Sequence, residues 1–559
     1  MVKKTFTQLN FGSQLFFGIL LLLGFVFLFK IYLNTGLPST HDGNNHLIRF
    51  ANYKLALKEL QFPPRWAPNL LNHYGYPVFN FNYPLANILS IPFSIFKISY
   101  ELTFKIITLA SFIFGLIGLR NWLRLLKVKN NIIYLALTSY LINPYVINLL
   151  YFRGNIGEIM ALNLFIWLMY LTELIKHQHN FHHRHNFWLG ICLFSLFLIS
   201  HNVTVLFGIP IIFSYALAKK LSVRQFLTLG KYLIFGIGFS LWFWLPALLE
   251  KNQTILNNAD LSLLYLQYFP TFNQLINSPL SFGFSYASPV DGLSASIGSL
   301  LVVVLVLFFI NLLANLITKH KIKISQQLTV ILGMIFVFTL LQLKMTAAIW
   351  QLIPLTNFIQ FPWRLSLFIA ALSPVAISLI VPKNQLILRA SIVIIIWQLI
   401  ILSKLQPISY STASNEVYDT SIETTSTISE NMSKTFTYDY FQNNELNLDI
   451  IEGQGKVLIN NWQGSRRKYD LFLTQKSLIV EPTMNFSGWE TYANQQKITY
   501  TDSKIIGGRI AYWLDKGDYH IETRFTQNTW PRKIGNTVFI ITAFITSYFI
   551  IKQWPHKNF

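Results

Sequence analysis

The chain has 559 residues, of which 53% are hydrophobic, 16% aromatic and only 12% charged, and its mean hydropathy is +0.42. These values exclude an ordinary soluble domain and predict repeated membrane spans. The 44 Lys and Arg residues against 23 Asp and Glu give a net charge of +21. In a soluble protein this excess would suggest nucleic acid. Here it lies mostly in short loops between apolar runs, so we expect it to orient a membrane protein and predict no nucleic-acid partner.

Apolar runs of about 15–23 residues recur along the chain, close to the ~20 residues that cross a bilayer as a helix. The N-terminal run has a basic start but no small-residue cleavage site, which favours a retained first span over a removed signal peptide. The short run 84–98 contains Pro92, and we predict a re-entrant or interfacial helix there. About twelve spans are predicted, at residues 12–33, 102–122, 132–150, 158–175, 187–200, 203–218, 228–248, 296–318, 327–343, 364–381, 386–403 and 535–551.

The basic loops alternate with the predicted spans. If Lys3 and Lys4 are cytoplasmic, nearly every Lys- and Arg-rich loop falls on the same side, as the positive-inside rule requires. The alternation holds only if 84–98 does not cross the bilayer. We therefore predict a multi-pass cell-membrane protein with cytoplasmic N- and C-termini, whose outer side receives residues 34–101 and 404–534.

The segment 404–534 differs in composition from the rest. Residues 404–434 are rich in Ser, Thr, Glu and Asn, which is typical of a flexible linker. From about residue 435, short runs alternate apolar and polar residues between Gly-rich or charged turns, which predicts a small β-sandwich-like domain. The predicted domains are a transmembrane domain at 1–403 with a long first outer loop at 34–101, an extracytoplasmic linker and β-domain at 404–534, and a C-terminal membrane anchor with a cytoplasmic tail at 535–559.

The first outer loop contains an unusual group of polar side chains. His41, Asp42, His46 and Arg49 lie within nine residues. If this segment is helical, Asp42, His46 and Arg49 share one face. An acid beside imidazoles and a guanidinium suits a general base or a metal ligand next to a phosphate. The alternative is a solvated aspartate in an ordinary Asp-Gly turn.

Two further turns carry polar side chains on the same predicted side. Glu158 opens a helix, where the helix dipole favours a carboxylate, or it is a second acid of the site with Arg153 as a phosphate contact. His201 either caps a helical hairpin or faces a cavity at membrane depth.

The segment 360–364 offers another anion contact. Arg364 could extend its charge to the membrane interface, and Trp363 could belong to the interfacial aromatic belt. Alternatively, Gln360 and Arg364 together bind a lipid-linked phosphate. Two weaker candidates are the acid Asp291 on the loop 285–292 and a His-rich stretch that suggests a metal site but is more typical of a basic solvated loop. That stretch contains His177, His179, His182, His183 and His185.

Several of these motifs resemble a known family. The series THDGNNHLIR, PPRWAPN, GYPVFNFNYPL, YFRGNIGE, LISHN and QFPWR resembles YfhO-like bacterial multispan membrane proteins, which overlap the 6-pyruvoyl-tetrahydropterin synthase-related family. The C-terminal NFSGWETYANQQ and GGRIAYWLDKGDYHIETRFT resemble that group's outer β-domain. Nothing in the sequence resembles the soluble pterin enzyme or its zinc ligands. These families in turn resemble the GT-C superfamily of integral-membrane glycosyltransferases.

The GT-C resemblance implies an essential acid in the first outer loop and a polyprenyl-phosphate sugar as donor. Asp42 takes the position of that acid and would deprotonate the acceptor hydroxyl, with inversion at the sugar carbon. Arg49, Arg153 or Arg364 would stabilise the leaving phosphate. Many GT-C enzymes have a paired acidic motif where this chain has a single Asp, so the need for a divalent cation at Asp42 is left open.

The same resemblance implies the partners of the chain. Membrane lipid and the polyprenyl chain would occupy a groove beside the first loop, where His41, His46, Trp66 and Tyr76 would contact the substrate. The β-domain would hold a cell-envelope acceptor such as a glycan, a teichoic acid or a lipid. Two alternatives remain open, a transporter or flippase of lipid-linked glycans and a non-catalytic envelope-assembly protein. Against transport, the sequence has no clear inverted repeat or matched pair of broken helices.

Overall fold

The structure is a computed structural model that describes residues 2–177, 184–255, 264–287, 289–318, 324–352, 361–426, 429–437, 447–501 and 506–552. Its α-helices are α1 Val2–Phe29, α2 Gly43–Lys58, α3 Val78–Phe81, α4 Leu85–Ile95, α5 Tyr100–Leu125, α6 Asn130–Leu141, α7 Pro144–Asn148, α8 Ile156–His177, α9 Arg184–Leu198, α10 Asn202–Ala218, α11 Val223–Leu249, α12 Phe272–Asn277, α13 Ser299–Ile317, α14 Gln326–Leu341, α15 Ala347–Gln351, α16 Ser366–Ile380, α17 Gln385–Lys404, α18 Asn415–Asp419 and α19 Trp530–Lys552. Its strands are β1 Leu37–Pro38, β2 Tyr410–Ser411, β3 Asp449–Glu452, β4 Gly455–Trp462, β5 Arg466–Leu473, β6 Ser477–Met484, β7 Trp489–Ala493, β8 Gln496–Lys497, β9 Arg509–Leu514 and β10 Gly517–Phe525.

Among the described residues, seven helices are long and apolar enough to cross a membrane, or up to nine if each of two bent pairs is one span. The seven are Gly12–Tyr32, Tyr100–Leu125, Ile156–His177, Val223–Gln253, Ser299–Ile317, Pro362–Lys383 and Gln385–Lys404. The predicted class, a helical multispan membrane protein, is confirmed. The predicted number of about twelve spans is not confirmed, because several apolar runs form helices that are short or bent.

The short and bent helices have local causes. Helices Phe187–Leu198 and Asn202–Ala218 are apolar but shorter than 18 residues. The predicted span 132–150 is broken, since its parts Asn130–Leu141 and Pro144–Arg153 meet at 45°. Pro144 has no N–H to continue the first helix, and the Asn143 side chain caps the second by accepting from Tyr145 N at 2.9 Å.

Helix α4 has eleven residues and contains Pro92. At 1.5 Å per residue it is about 16 Å long, about half of the ~30 Å hydrocarbon core. A helix of this length cannot cross a bilayer by itself, which is compatible with the predicted re-entrant or interfacial helix.

The chain forms two compact units, each assembled from three separate segments. The first unit consists of Met1–Asn44, Lys105–Gly236 and Ala259–Thr412, and it contains most of the long apolar helices. The second unit consists of Asn45–Phe104, Ile237–Asn258 and Ala413–Phe559, and it contains strands β3 to β10.

Helix α16 lies at the centre of the first unit. It packs against α6, α8, α13 and α14, and all but one of its residues are buried. Other helices therefore cover α16 on nearly every side, and it lies in the interior of this unit. The start of the first outer loop is fixed in this unit, because β1 pairs antiparallel with β2 and Ser39 N donates to Ser409 O at 2.9 Å.

The second unit contains two antiparallel sheets. The five-stranded sheet has the order β4-β5-β10-β7-β8, and the three-stranded sheet has the order β3-β6-β9. The predicted β-rich C-terminal region is therefore confirmed. The two sheets share a buried polar group, in which Glu481 from β6 accepts from Tyr469 at 2.8 Å and forms an ion pair with Arg467 at 3.0 Å.

A second buried network joins all three segments of this unit. Arg532 Nη2 and Asn80 Nδ2 both donate to Glu250 Oε2, at 2.8 and 2.9 Å. Arg65 donates to Asn80 Oδ1 at 3.2 Å and to Trp242 O at 2.7 Å. Because a buried charge is costly unless paired, these contacts favour one arrangement of the three segments.

We predict that the ion pair in the β-domain is required for its stability. Arg467→Met leaves the Glu481 carboxylate buried without its cation, which should cost about 3–5 kcal/mol. Thermal unfolding of the purified chain, followed by tryptophan fluorescence, measures this loss. Lys468→Met, at the next position of the same strand, is the control and should change the stability by less than about 0.5 kcal/mol. Equal unfolding temperatures for the two variants would contradict the prediction.

Candidate functional site

The candidate site is built around the turn that precedes helix α8. Residues Leu149–Arg153 form one π-helical turn at the end of the bent helix pair, a feature that often marks functional positions in helices. Gly154 ends the turn with φ +62°, and a Cβ there would lie 2.1 Å from Thr40 Oγ1. Only glycine permits this conformation together with so close an approach of the first outer loop.

The turn fixes the backbone of the first outer loop through two hydrogen bonds. His41 N donates to Phe152 O at 2.9 Å, and Asp42 N donates to Arg153 O at 2.8 Å. Asn155 continues the attachment, since its Nδ2 donates to Asp42 Oδ2 at 3.0 Å. The first-loop acid and the 151–158 turn are therefore in contact within the first unit.

The same turn carries a buried ion pair. Arg153 Nη1 lies 2.6 Å from Glu158 Oε2, and the two side chains are 6% and 1% exposed. The Tyr145 hydroxyl donates to the other oxygen of Glu158. The Arg153 guanidinium also lies 4.9 Å from the centre of the Trp363 ring. These contacts neutralise both charges at a depth where isolated charges are unfavourable.

The two acids of the site therefore have different environments. Glu158 is enclosed by its partners, whereas Asp42 is partly exposed and one of its oxygens accepts from Asn155. Asn155 links the two acids, because its Oδ1 accepts from Glu158 N at 3.0 Å. Asp42 is thus open to solvent on part of its surface, whereas Glu158 is covered by Arg153 and Tyr145.

Arg364 supplies a second guanidinium at this site. It is partly exposed, its charge interacts with those of Asp42, Arg153 and Glu158, and its guanidinium lies 5.1 Å from the centre of the Phe361 ring. Its Nε has no hydrogen-bond partner within the ranges that the structure describes. Arg364 also lines a small pocket whose other lining residues are Val203, Thr204, Phe207, Trp350, Phe361, Leu365 and Phe368. A guanidinium on an otherwise largely apolar wall suits an amphiphile with an anionic head group.

His201 lies beside this pocket as the N-cap of helix α10. Its Nδ1 accepts from Thr204 N at 3.3 Å and lies 2.8 Å from the Thr204 hydroxyl. Burial lowers the pKa of His201 to about 3, although the negative charge of Glu158 acts in the opposite direction and raises it. The imidazole is therefore neutral near pH 7, and the sequence-based interpretation as a helix cap agrees with its contacts.

The remaining first-loop candidates belong to the second unit. Helix α2 begins at Gly43, so His46 and Arg49 lie within it, after Asp42. His46 is buried with its ring 6.2 Å from that of Tyr83, and Arg49 donates from Nε to Thr425 Oγ1 at 2.9 Å.

The two aromatic candidates of the loop are also buried. Trp66 packs against Phe486, Trp489 and Phe525, and the Tyr76 hydroxyl accepts from Asn431 N at 3.0 Å. Neither ring is exposed in this structure, and their substrate-binding function stays a prediction.

Other candidates fall outside the site or outside the described ranges. Gln360 lies in residues 353–360, which the structure does not describe. His179, His182 and His183 of the His-rich stretch lie in residues 178–183, which it does not describe either. Within the described residues, no group of three or more His, Cys, Asp and Glu side chains could hold a metal ion.

Two contributors to the site, Tyr145 and Asn155, do not follow from the sequence patterns. Tyr145 lies in an apolar run, so its own position gives no sign of a polar site. The one local signal is Asn143–Pro144 just before it, which indicates that the helix is interrupted there. Asn155 stands directly before helix α8, a position that favours a capping amide. Its contact with Asp42 spans 113 residues of chain, so no local pattern predicts it.

The apolar helices and the charged turn together define an integral membrane protein with a polar site at the ends of its helices. A family model described as 6-pyruvoyl-tetrahydropterin synthase related domain, membrane protein, matches residues 81–411. The chain belongs to this family, and the predicted family is confirmed.

The chain also shows remote similarity to solved structures. One is the single-particle cryo-EM structure of arabinofuranosyltransferase AftD from Mycobacteria, at 12% identity and a TM-score of 0.39, covering 70% of this chain and 26% of that chain. A mutant of the same enzyme gives 13% identity and a TM-score of 0.41, covering 70% and 27%. The chain thus spans about a quarter of the length of these relatives. No curated protein matches it significantly.

We predict that His201 makes the stability of the protein dependent on pH. An unfolded histidine binds its proton with a pKa of 6.5, and the folded one with a pKa of about 3. Between these pH values the unfolded state binds more protons than the folded state. The contribution of the neutral His201 to the free energy of unfolding is therefore complete above pH 6.5 and decreases as the pH falls. His201→Asn, which can still cap the helix, should reduce the slope of melting temperature against pH between about pH 4 and pH 7.

The matched control for this measurement is the exposed His520 of the β-domain. His520 is 56% exposed in its pairing with Asp470, so His520→Asn should leave most of the slope between about pH 4 and pH 7 unchanged. An unchanged slope for His201→Asn would show that this imidazole does not control the acid sensitivity.

Proposed function

We propose that this chain is an integral-membrane glycosyltransferase of the GT-C type. It would move a sugar from a polyprenyl-phosphate donor to a cell-envelope acceptor, such as a glycan, a teichoic acid or a lipid. The observation that carries the proposal is a partly exposed carboxylate, Asp42, which is hydrogen-bonded to the same turn that holds the buried guanidinium of Arg153.

The environment of Asp42 supports its assignment as the general base. The backbone hydrogen bond to Arg153 O and the side-chain hydrogen bond from Asn155 hold the carboxylate while leaving it partly exposed. A base must be oriented and must reach the proton that it removes. Glu158, the other predicted catalytic acid, is enclosed by Arg153 and Tyr145, so we assign it a positioning function.

The two guanidiniums support a phosphate leaving group. Arg364 stands on a largely apolar wall, so a lipid phosphate bound to its charge would have its isoprenoid chain beside apolar side chains. Arg153 is held by Glu158 and Trp363 in an orientation that binding of the donor need not reorganise. A donor anchored by its own lipid suits an enzyme on the side of the membrane that lacks nucleotide sugars.

The proposed reaction is a single displacement. The acceptor oxygen forms a bond to the anomeric carbon as the bond from that carbon to the phosphate oxygen breaks. The acceptor proton moves to Asp42, and the bonding electron pair leaves with the lipid phosphate, whose charge Arg153 and Arg364 stabilise. Attack from the face opposite the phosphate inverts the anomeric configuration.

The remaining parts of the proposal concern location and partners. We propose that the termini are cytoplasmic, that the β-domain is extracytoplasmic and binds the acceptor polymer, and that twelve spans include the shorter apolar helices. The Lys and Arg distribution along the chain supports this orientation.

One observation favours a transporter as the second candidate. In the first unit, Glu173 forms a buried ion pair with Lys219 at 3.1 Å and accepts from Tyr215 at 2.6 Å. Charged side chains inside apolar bundles often line ion or substrate paths. A flippase would depend on this pair and not on Asp42.

We predict that Asp42→Asn abolishes sugar transfer. Purified protein in nanodiscs would be given a panel of polyprenyl-phosphate sugars, and release of the lipid phosphate would be measured. Loss of the general base should lower the rate by at least about 100-fold. Asp515→Asn, in an exposed turn of the β-domain, should match the wild type. Equal turnover by wild type and Asp42→Asn, with equal melting temperatures, would refute the assignment.

We predict a different effect for Arg364. Arg364→Gln removes the positive charge that would stabilise the leaving phosphate, so kcat should fall about 100-fold while the protein stays folded. Arg364→Lys keeps the charge and should recover part of the rate. If Arg364→Gln instead leaves kcat unchanged and lowers only glycan transport into proteoliposomes, the transporter becomes the better explanation.

A further inference from the structure

A loop rich in exposed aromatic side chains lies next to Asp42 in the first unit. We call residues 281–293 the aromatic loop, of which all but residue 288 are described. Its two ends are joined, because Leu293 N donates to Phe284 O at 3.1 Å and Ser281 Oγ donates to Gly292 O at 2.8 Å. The loop is therefore a closed, hydrogen-bonded structure.

Its base is attached to the preceding short helix. Thr271 and Gln274 form a capping box at the start of helix α12. The Gln274 side chain also donates to Pro289 O at 3.0 Å and to Asp291 Oδ1 at 3.0 Å. Asp291, the outer acid noted in the sequence, is thus occupied in holding the loop.

The aromatic loop covers His41, the residue before the proposed base. The Phe284 ring is stacked on the imidazole, with 4.9 Å between centroids and 13° between planes. The Phe282 ring contacts the same imidazole edge-on at 4.8 Å. His41 N is bonded to Phe152 O, so this stack has a fixed position relative to Asp42.

The stack leaves one aromatic face open. Phe284 is 61% exposed and Tyr286 is 50% exposed, although the imidazole covers one side of the Phe284 ring. Burial lowers the pKa of His41, and this effect is larger than the opposite effect of the Asp42 charge, which raises it. The imidazole is therefore neutral, and its stacking leaves no charge that needs solvation. Its Nε2 is buried and has no hydrogen-bond partner within the described ranges.

Such a surface has the features of a sugar subsite. Sugar rings present a face of C–H groups that packs on aromatic rings, while their hydroxyls need polar partners nearby. A sugar on Phe284 would have the partly exposed carboxylate of Asp42 nearby, because Asp42 follows the stacked His41 in the chain. Trp66 and Tyr76, the aromatics that the sequence suggested for this purpose, are fully buried.

We infer that the aromatic loop is the acceptor subsite, in which Phe284 binds the ring of the acceptor sugar and presents its hydroxyl to Asp42. This inference rests on the proposed function, since it assigns the acceptor as a carbohydrate. Phe284 is a positioning residue. Its loss should raise the acceptor KM by roughly 3- to 10-fold, the range expected for one aromatic contact, with little change in donor hydrolysis by water.

Binding can be tested without any donor. The probe is a mixture of methyl pyranosides and methyl furanosides added to the full chain in nanodiscs, with saturation-transfer NMR from aromatic protons to the sugar C–H groups. We expect saturation transfer from the wild-type protein to the sugar. With Phe284→Leu, the transfer signal should fall roughly 3- to 10-fold. Phe284→Tyr, which keeps the ring, should restore the signal. Val417→Ala, which alters an exposed apolar residue outside the aromatic loop, should leave it unchanged.

The outcomes separate the inference from the proposed function. Equal signals for wild type and Phe284→Leu, or no signal with the wild type, overturn the aromatic loop as a sugar subsite. If glycosides bind through Phe284 but transfer does not depend on Asp42, the proposed chemistry fails and the sugar subsite stands.

A second measurement tests whether the exposed aromatics contact lipid instead. A spin label at Ala287→Cys, in a Cys192→Ser background, reports the surroundings of the loop tip by its collision rates with oxygen and with a nickel complex. A sugar subsite requires water, so preferential collision with the nickel complex is expected. Preferential collision with oxygen would locate the loop in hydrocarbon and overturn the inference.

Discussion

The buried ion pair between Arg153 and Glu158 is the constraint on which the polar site depends. A membrane-embedded bundle has no water with which to solvate these groups, so each charge needs a partner of opposite sign. Tyr145 and Trp363 complete the enclosure from two other chain segments. The pair fixes the side chain of Arg153, whose carbonyl in turn binds the backbone of Asp42.

This arrangement gives two nearby carboxylates different chemical capacities. The carboxylate of Glu158 is paired with Arg153 and hydrogen-bonded by Tyr145, whereas Asp42 is partly exposed. Enzymes commonly separate the tasks of two acids by such differences in environment. The turn thereby holds one enclosed acid and one partly exposed acid.

Buried polar networks also organise the second unit. Glu250 gathers Asn80 and Arg532 from different segments, and Glu481 does the same between the two sheets of the β-domain. Apolar contacts alone are non-directional and permit several registers of packing. A paired charge with hydrogen bonds at fixed angles discriminates between such registers, because misplacing it leaves a buried group unsatisfied.

The amino-acid sequence by itself determined the class of the protein, since apolar runs of span length and alternating strands follow from composition and period. It also identified Asp42, Arg153, Glu158 and Arg364 as residues of interest, because charges are rare in such a chain.

Only the tertiary structure decided which of these side chains meet. Helical spacing predicted that His46 and Arg49 share a face with Asp42, but helix α2 begins after Asp42, and Arg49 is bonded to Thr425. Conversely, Asn155 reaches Asp42 across 113 residues. Local spacing fixes only the angle between neighbours on one helix, whereas the partners of a buried charge are set by contacts between segments that are distant in the chain.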